Sequence, residues 1–564
     1  MLNARIISSL DKVFPDSDIE SFAPFTHSYI YKNRPLALQI ALRETEGDGR
    51  RWIPVSVEGI PAECVGFRTV EYIYSDMPAR GGQADGGYCR TEPGLYPDLL
   101  QPMHMNGCAP LFGTKNTCVW VEIDYSALPG NRRPRTLKKI PVKFILRDGE
   151  IVKELDFELT FIPTDLPEQE IKVTQWFHCD CLADYYNTEV WSERHWEIVE
   201  NFVKTAVRNG INTLLTPVFT PPLDTHVGGE RRTTQLVGVK KCKNSRYIFN
   251  FDLLDRWIDM CDRCGVKYFE ISHLFTQWGA AHAPKIMADT PEGYRRIFGW
   301  ETDATGDEYK RFLHRFLENF LAHMKARGDD KRCLFHVSDE PNEAHLRQYM
   351  KSRRIVARLL KDYTVMDALS NVKFYKSGAV TTPIPSNDHI GPFIKQFEKE
   401  GRSGLWTYYC CGQTLGVSNH FFATKGARTR FIGTQFWKYN IAGFLQWGYN
   451  FYSNCGSYDA VNPYIDTSGS GWVPSGDAFT VYPASDGTAL ESVRIRQFYE
   501  ALGDLAALRL LESLIGREET LRAVEENAGC VVFAKCIDDT PDMLALREKI
   551  DTLIAANFAK PAKK

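Results

Sequence analysis

From about residue 171 onward the chain alternates short runs rich in β-branched and aromatic residues with longer amphipathic segments, eight times over. The strand candidates are QWFHC, INTLLTPV, KYFEIS, CLFHVS, VKFYKS, DHIGPF, GLWTYY and GFLQW. Between them, SERHWEIVENFVKTAVRNG puts Trp196, Val199, Val203, Ala206 and Val207 on one helical face and ends on Gly210. DEYKRFLHRFLENFLAHMKARG carries a wider stripe of Phe312, Phe316 and Phe320 with Leu313, Leu317 and Leu321. Helices are also expected from Asp252, from near Asn342 and over ESVRIRQFYEALGDLAALRLLE. A chain that returns to its sheet through helices makes parallel strands, and eight such returns predict an α/β fold of the (β/α)8, TIM-type barrel class. The doubly wound open sheet carries a Gly-rich turn after its first strand, whereas QWFHCDCLADYY has no glycine.

The residues before this alternation read differently. PLALQIALRE, RWIPVSVEG, CVGFRTVEYIY and NTCVWVEIDYS are strand-like, and IPVKFILRDGEIVKELDFELTFI is a hairpin turning at Asp148-Gly149. A Gly-rich excursion runs from Pro78 to Gly94, and the Pro-bearing stretch from Ile162 to Glu170 reads as a linker. The expected organisation is an N-terminal antiparallel β-sandwich over 1–170, a catalytic barrel over 171–515 and a small extension over 516–564 that ends in a helix and a disordered Lys-rich tail.

Composition narrows the partners. The 564 residues include 68 basic and 71 acidic side chains for a net charge of −3, which provides no basic footprint for nucleic acid. No apolar run is long enough to span a membrane, and MLNARIISSLDKVFPDSD has no secretory core, so a cytoplasmic location is expected. The odd count of 15 cysteines reads as reduced thiols. Cys261 and Cys264 fall on one helix with no second ligand pair nearby, so no zinc site is expected there. Aromatic residues make up 12% and often sit beside polar ones, a mixture that suits the faces and hydroxyls of sugars as well as an ordinary core.

In such a barrel the chemistry lies where strands run into the loops that follow them. Those points offer His178 and Asp180, then Thr216, then His273 with Gln277 and Trp278, then Ser338-Asp339-Glu340-Pro341. The later strands offer Lys376, His389, Tyr408 with Tyr409, and Trp447 with Asn450; Asp477 follows in PSGDAFTVYP. Adjacent carboxylates at the fourth strand raise one another's pKa, as a general acid at neutral pH requires. An acidic helix N-terminus accounts for DEPNEAHL equally well. Retaining glycosidases commonly pair an acid with a carboxylate nucleophile, yet LWTYYCCGQ on the seventh strand has none. An acid without a nucleophile points to attack by the substrate's own 2-acetamido group, with a neighbouring Asp to orient it.

HVSDEPNEAHL, QWFHCDCLADYY, HLFTQWGA, LWTYYC, RFIGTQFWKYNIAGFLQW and SGDAFTVYP together resemble glycoside hydrolase family 123 and its uncharacterised relatives of the same catalytic fold. LYPDLLQP at 95–102 resembles the Pro-Asp element of that family's accessory sandwich. The resemblance implies a retaining β-N-acetylgalactosaminidase, or a β-N-acetylhexosaminidase acting on another 2-acetamido sugar, working by substrate assistance. It places Asp339 as the acid that orients the acetamido group and Glu340 as general acid/base. His178, Asp180, His273, Trp278, Tyr408, Trp447 and Asp477 are the substrate-contact candidates. The expected partner is a glycan or glycoconjugate, with no cofactor and no metal. A metal reading of His178 and Asp180 wants His389 and an acid on the eighth strand, which GFLQWGYN does not supply. The loop TPPLDTHVGGERRTTQLVGV reshapes the pocket, with Asp224, Arg231 and Arg232 expected in solvent. Two other readings stay open: a glycosidase for a different sugar, its second carboxylate drawn from Asp180, Asp388, Asp459 and Asp477, and a non-catalytic carbohydrate-binding barrel.

Overall fold

The computed structural model describes residues 2–46, 49–103, 107–149, 151–243 and 246–558. The Lys-rich tail, 559–564, lies outside the described residues. Eight parallel strands form one sheet: Lys172–Gln175, Thr213–Thr216, Tyr268–Ile271, Cys333–Phe335, Thr364–Ala368, Thr382–Ile384, Trp406–Tyr408 and Gly443–Gln446. Neighbours in the sheet follow chain order, and the eighth strand pairs with both the first and the seventh. The gap between the sixth and seventh is bridged only beyond the sixth strand's end. There Tyr408 N–H donates to Pro385 O at 3.0 Å and Asn387 N–H to Tyr408 O at 2.9 Å. The result is a nearly closed parallel barrel.

Two strands differ from expectation. VKFYKS is a short helix, Val372–Lys376, started by Asn371, whose side chain accepts from Lys373 N–H. DHIGPF enters the helix Gly391–Lys399, with Pro392 in its first turn where the missing N–H does no harm. The true fifth and sixth strands are TVMDA and TPI, too short and too mixed to stand out by alternation. Lys376 and His389 therefore do not end barrel strands.

The expected helices form, and their caps are visible. Ser192 accepts from His195 N–H to open Glu193–Arg208, whose apolar face is buried except for the half-exposed Val207. Asp307–Arg327 buries all three of its stripe phenylalanines and stops at Gly328, which takes φ +82°. Gly433 lets helix Gly426–Lys438 close on Val493–Ile515; a Cβ there would lie 2.0 Å from Ala501 O. Insertions after the second and third barrel strands make a further four-stranded sheet, Gly238–Lys241, Tyr247–Asn250, Ile286–Thr290 and Gly293–Phe298.

The N-terminal residues form two five-stranded sheets sharing one buried cluster that includes Leu38, Ile40 and Val121 from one and Phe144, Leu159 and Phe161 from the other. The four strands expected from sequence are present, together with Leu2–Ser8, His27–Tyr31, Gly94–Pro102 and Cys108–Phe112. The sheets are antiparallel except where His27–Tyr31 runs parallel to Ile151–Ile162. Asp148 faces Ile151 in the hairpin, with Gly149 at φ +59°.

This unit is welded to the barrel. The Pro78–Gly94 excursion reaches across it: Lys425 N–H donates to Gly87 O at 2.9 Å and Cys89 N–H to Ala423 O at 2.7 Å. Ser75 and Ser475 share a hydroxyl hydrogen bond of 2.7 Å, and Ser475 N–H donates to Met77 O at 2.8 Å. From LYPDLLQP, Asp98 lies fully buried against the Arg494 guanidinium, taking bonds of 2.8 and 3.0 Å, and receives the Tyr482 hydroxyl at 2.6 Å. The C-terminal helix Thr540–Phe558 lies over both units, with Tyr31 donating to Asp551 at 2.6 Å and Arg547 to Asp504 at 2.7 Å. Among the described residues no helix is long and apolar enough to cross a membrane. None of the fifteen cysteines forms a disulfide.

Candidate active site

The fourth strand ends at Phe335, and the chain then runs inward through His336, Val337 and Ser338 to Asp339 and Glu340. Ser338 donates its hydroxyl to Thr276 O at 2.8 Å, Trp278 N–H donates to Asp339 O at 2.9 Å, and Glu340 N–H donates to Ala368 O at 3.1 Å. The acidic pair is thus held between the third- and fifth-strand loops. Glu340 takes φ +39°, a backbone state that non-glycine residues adopt only when their surroundings enforce it. Its side chain is exposed and accepts the buried Tyr408 hydroxyl at 2.6 Å. Burial pushes the Asp339 carboxyl well above the usual carboxylate range, and the charges of Glu340 and Asp224 add to the effect.

Asp224 does not sit in open solvent. Its N–H donates to Gln277 Oε1 at 2.7 Å and its carbonyl accepts from Ser457 at 2.7 Å, which ties three loops across the barrel mouth. Burial raises its carboxyl to about 7; Arg231 opposes the rise, while Glu340 and Asp477 add to it. Trp278, 47% exposed with φ +60°, stands beside the acidic pair and presents an uncovered ring.

His178 and Asp180 are buried together with Arg231, the second departure from the expected loop. Arg231 grips Asp180 with two bonds of 2.6 and 2.7 Å and reaches His178 Nδ1 at 3.1 Å. His178 Nε2 meets Trp447 O at 3.0 Å. Burial and the Arg231 charge push the His178 imidazole down to about 3, so it is neutral. A guanidinium occupies the place a cation would take, which disfavours the metal reading of this pair. Arg232 does reach the surface, pairing with Asp184 at 2.9 Å.

Trp447 donates its indole N–H to Asp477 at 2.9 Å. Gly448 makes that approach possible, since a Cβ there would lie 2.3 Å from Ala478 O. Asp477 is fully buried, and its other oxygen lies 3.8 Å from His420 Nε2. Burial lifts its carboxyl to about 7 against the Trp447 hydrogen bond. Asp388 is held by Ser386 at 2.6 Å and His389 at 2.8 Å, and Asp459 by Asn454 at 3.2 Å.

His273 lies inside the barrel, 1% exposed, with neither ring nitrogen bonded, and stacks on His336 at 4.3 Å between centroids. His336 bridges two acids: Nε2 to Glu270 at 2.6 Å and Nδ1 to Asp367 at 3.1 Å. Among the described residues, His273, His336 and Asp367 are the group that brings three metal-type donors within 4.8 Å. Both His336 nitrogens already face carboxylates, so a metal would have to displace one of them. Glu270, His336 and Asp367 escape sequence reasoning that looks only at strand ends. Their signal is a charged residue flanked by apolar ones inside a strand, as in YFEI and VMDA.

What the arrangement offers is an acid pair on a pinned turn, a hydroxyl on the acid, an exposed indole beside it and buried polar groups across the mouth. A solved structure shares this fold over nearly its whole length. A family 123 glycoside hydrolase from Clostridium perfringens superposes with a TM-score of 0.73 at 13% identity, over 99% of this chain and 98% of that one. A β-glucuronidase from Parabacteroides merdae gives 0.31 at 11% identity, over 89% of this chain and 51% of that one. A family 5 mannosidase from Rhizomucor miehei gives 0.31 at 13% identity, over 60% and 93%. No curated protein matches the chain in sequence. The sequence profile of the glycoside hydrolase 123 catalytic domain matches residues 176–511, which cover the barrel from the end of its first strand and include every site residue above, and the chain is therefore a member of glycoside hydrolase family 123.

Proposed function

We infer that the protein is a retaining β-N-acetylgalactosaminidase, or a hexosaminidase for a related 2-acetamido sugar, and that the substrate's acetamido oxygen is its nucleophile. The observation that carries this is the pair Asp339-Glu340 facing a seventh strand, Trp406–Tyr408, that ends in a tyrosine and not in an acid. Two neighbouring carboxylates on one turn do not reach opposite faces of a sugar ring. Glu340 protonates the departing oxygen while the acetamido oxygen closes on the anomeric carbon, giving an oxazolinium ion. Asp339 accepts the acetamido N–H and offsets the positive charge that develops. Water then opens the ring with Glu340 as base, and the configuration is retained. Trp278 stacks on a sugar face, and Asp477 and the Asp180–Arg231 pair face its hydroxyls. The Clostridium perfringens relative is described in terms of glycolipid glycan hydrolysis, and a glycan ending in a β-linked 2-acetamido sugar is the substrate class we assign here.

A thiazoline analogue of the cyclised N-acetylgalactosamine intermediate tests this. It should inhibit competitively, and Asp339→Asn should lose both turnover and most of the affinity for it while staying folded. Covalent labelling of a carboxylate by a 2-fluoro sugar, with no thiazoline binding, would show that a protein nucleophile does the work.

A further inference from the structure

Three neighbouring barrel strands place charged side chains in the barrel's interior, where branched apolar residues normally pack. Glu270, His336 and Asp367 are each fully buried. Carrying ions out of water is expensive, and apolar residues would fill the same space more cheaply. The hydrogen bonds show what the group holds. Asp367 Oδ1 accepts not only His336 but the Val337 and Ser338 amides, at 2.9 and 3.3 Å, and Oδ2 accepts the Tyr349 hydroxyl. Glu270 accepts the Trp176 indole at 2.8 Å and the Thr174 hydroxyl at 2.5 Å. The next residue after Asp367, Ala368, receives the Glu340 amide. Every backbone N–H from Val337 to Glu340 bonded here, other than that of Asp339, is thus fixed by the fifth strand.

We propose that Glu270, His336 and Asp367 form a buried ionic strut whose task is to pin the Asp339-Glu340 turn and to set the charge beneath Asp339, with His336 as the positioning residue. The strut bears two carboxylates and one imidazolium. Burial works against the charge on His336, but its bonds to Asp367 and Glu270 prevail and push it up to about 10, so it stays protonated through the neutral range. The groups facing it are these two acids, the neutral His273 ring stacked on it, and the edge-on Trp176 ring, 6.5 Å away. Asp339 lies three residues along the chain and senses the imidazolium as a charge that lowers its pKa. Without that charge, Asp339 would feel the Asp367 carboxylate unbalanced and ionise later still. The pinned turn also accounts for the positive φ of Glu340, a conformation that needs restraint from outside the residue.

This inference rests on the reading of Asp339 as the group that must be ionised for turnover. The test is the acid limb of the kcat/KM profile on a nitrophenyl β-N-acetylgalactosaminide. His336→Gln should move that limb to higher pH by about one unit or more and lower kcat at least tenfold. Glu270→Gln, which removes a negative charge, should move it the other way. Combining the two should bring the limb back toward its original position even though more hydrogen bonds are lost. A role in packing alone predicts the reverse, with the double variant worst and the limb fixed, and that result would overturn the proposal. If His336→Gln does not fold, the direction of the Glu270→Gln shift decides alone: downward supports the strut, unmoved or upward refutes it. The same quantity can be read without turnover, as the pH dependence of the difference in unfolding free energy between the protein and Asp339→Asn. An Asp339→Asn variant that keeps full activity would remove the underlying functional reading; an intact Asp339 limb that ignores His336 would remove only the strut.

Discussion

Removing the Asp98 carboxylate should unfold the protein more easily than any surface change and should also slow it. Asp98 and Arg494 are both fully buried, on a strand of the N-terminal unit and on the helix Val493–Ile515 of the barrel. Asp98→Ala strands a guanidinium in the interior. Breaking such a pair from one side typically costs 3–5 kcal/mol. Arg494 Nη1 would still donate to Gly476 O at 2.6 Å and Phe479 O at 2.9 Å, so part of its charge stays solvated by carbonyls. The expected loss is therefore near the lower end, about 3 kcal/mol, a large share of the roughly 5–15 kcal/mol that holds a domain together. Those same carbonyls flank Asp477, so a guanidinium released from Asp98 shifts the loop that carries it. Equilibrium urea unfolding followed by tryptophan fluorescence measures the first effect and kcat/KM the second. Replacing both partners, Asp98→Leu with Arg494→Met, should be less damaging than the single changes sum to, with a coupling of at least about 2 kcal/mol. An Asp98→Ala protein within about 1 kcal/mol of the parent, with no coupling to Arg494, would mean the pair is not what joins the two units.

Glu340→Gln should reduce cleavage of natural glycosides about 10²- to 10⁴-fold and spare nitrophenyl glycosides by comparison; equal losses on both would assign Glu340 another role. Activity should survive exhaustive dialysis against a chelator, and a loss restored by zinc or manganese would reopen the metal reading of His273, His336 and Asp367. Burial opposes ionisation of Glu491, but Arg496, Arg68 and Arg208 outweigh it and hold its carboxyl down to about 2 from 4.5. Its contribution to stability, about 3 kcal/mol, is complete above pH 4.5 and disappears as pH falls through about 2. Glu491→Gln should flatten the acid side of the stability profile, and an unchanged slope would show that other carboxylates set it.

Much of this was readable in the sequence where the pattern was long and regular. The helix Asp307–Arg327 announces itself by three phenylalanines at four-residue spacing, and its Gly328 stop is visible as well. The fifth and sixth barrel strands were not, because TVMDA and TPI are short and buried on both faces, and the helices beside them are aromatic enough to imitate strands. Asp339 and Glu340 stood out as adjacent acids before a proline. Arg231 and Asp224 did not, since a polar loop looks solvated until another loop is known to fold over it. Glu270 and Asp367 each show as an acid inside an apolar strand, but they meet only through His336, from strands distant in the chain, and that partnership has no local signature.

The welding of the sheets to the barrel also bears on how such a protein can be rearranged. Its N-terminal unit supplies Gly87, Ser75, Met77 and Asp98 to backbone and side-chain bonds on the far side of the chain, some within a few residues of Asp477. An appended module of this kind is not a detachable cassette. Recombination that exchanged it for the corresponding unit of a distant relative would bring a foreign surface against Arg494 and the Ser475 loop, and the offspring would lose solubility before they lost chemistry. The two units should therefore descend together, and a viable chimera would have its crossover inside the barrel's outer helices, away from the seam.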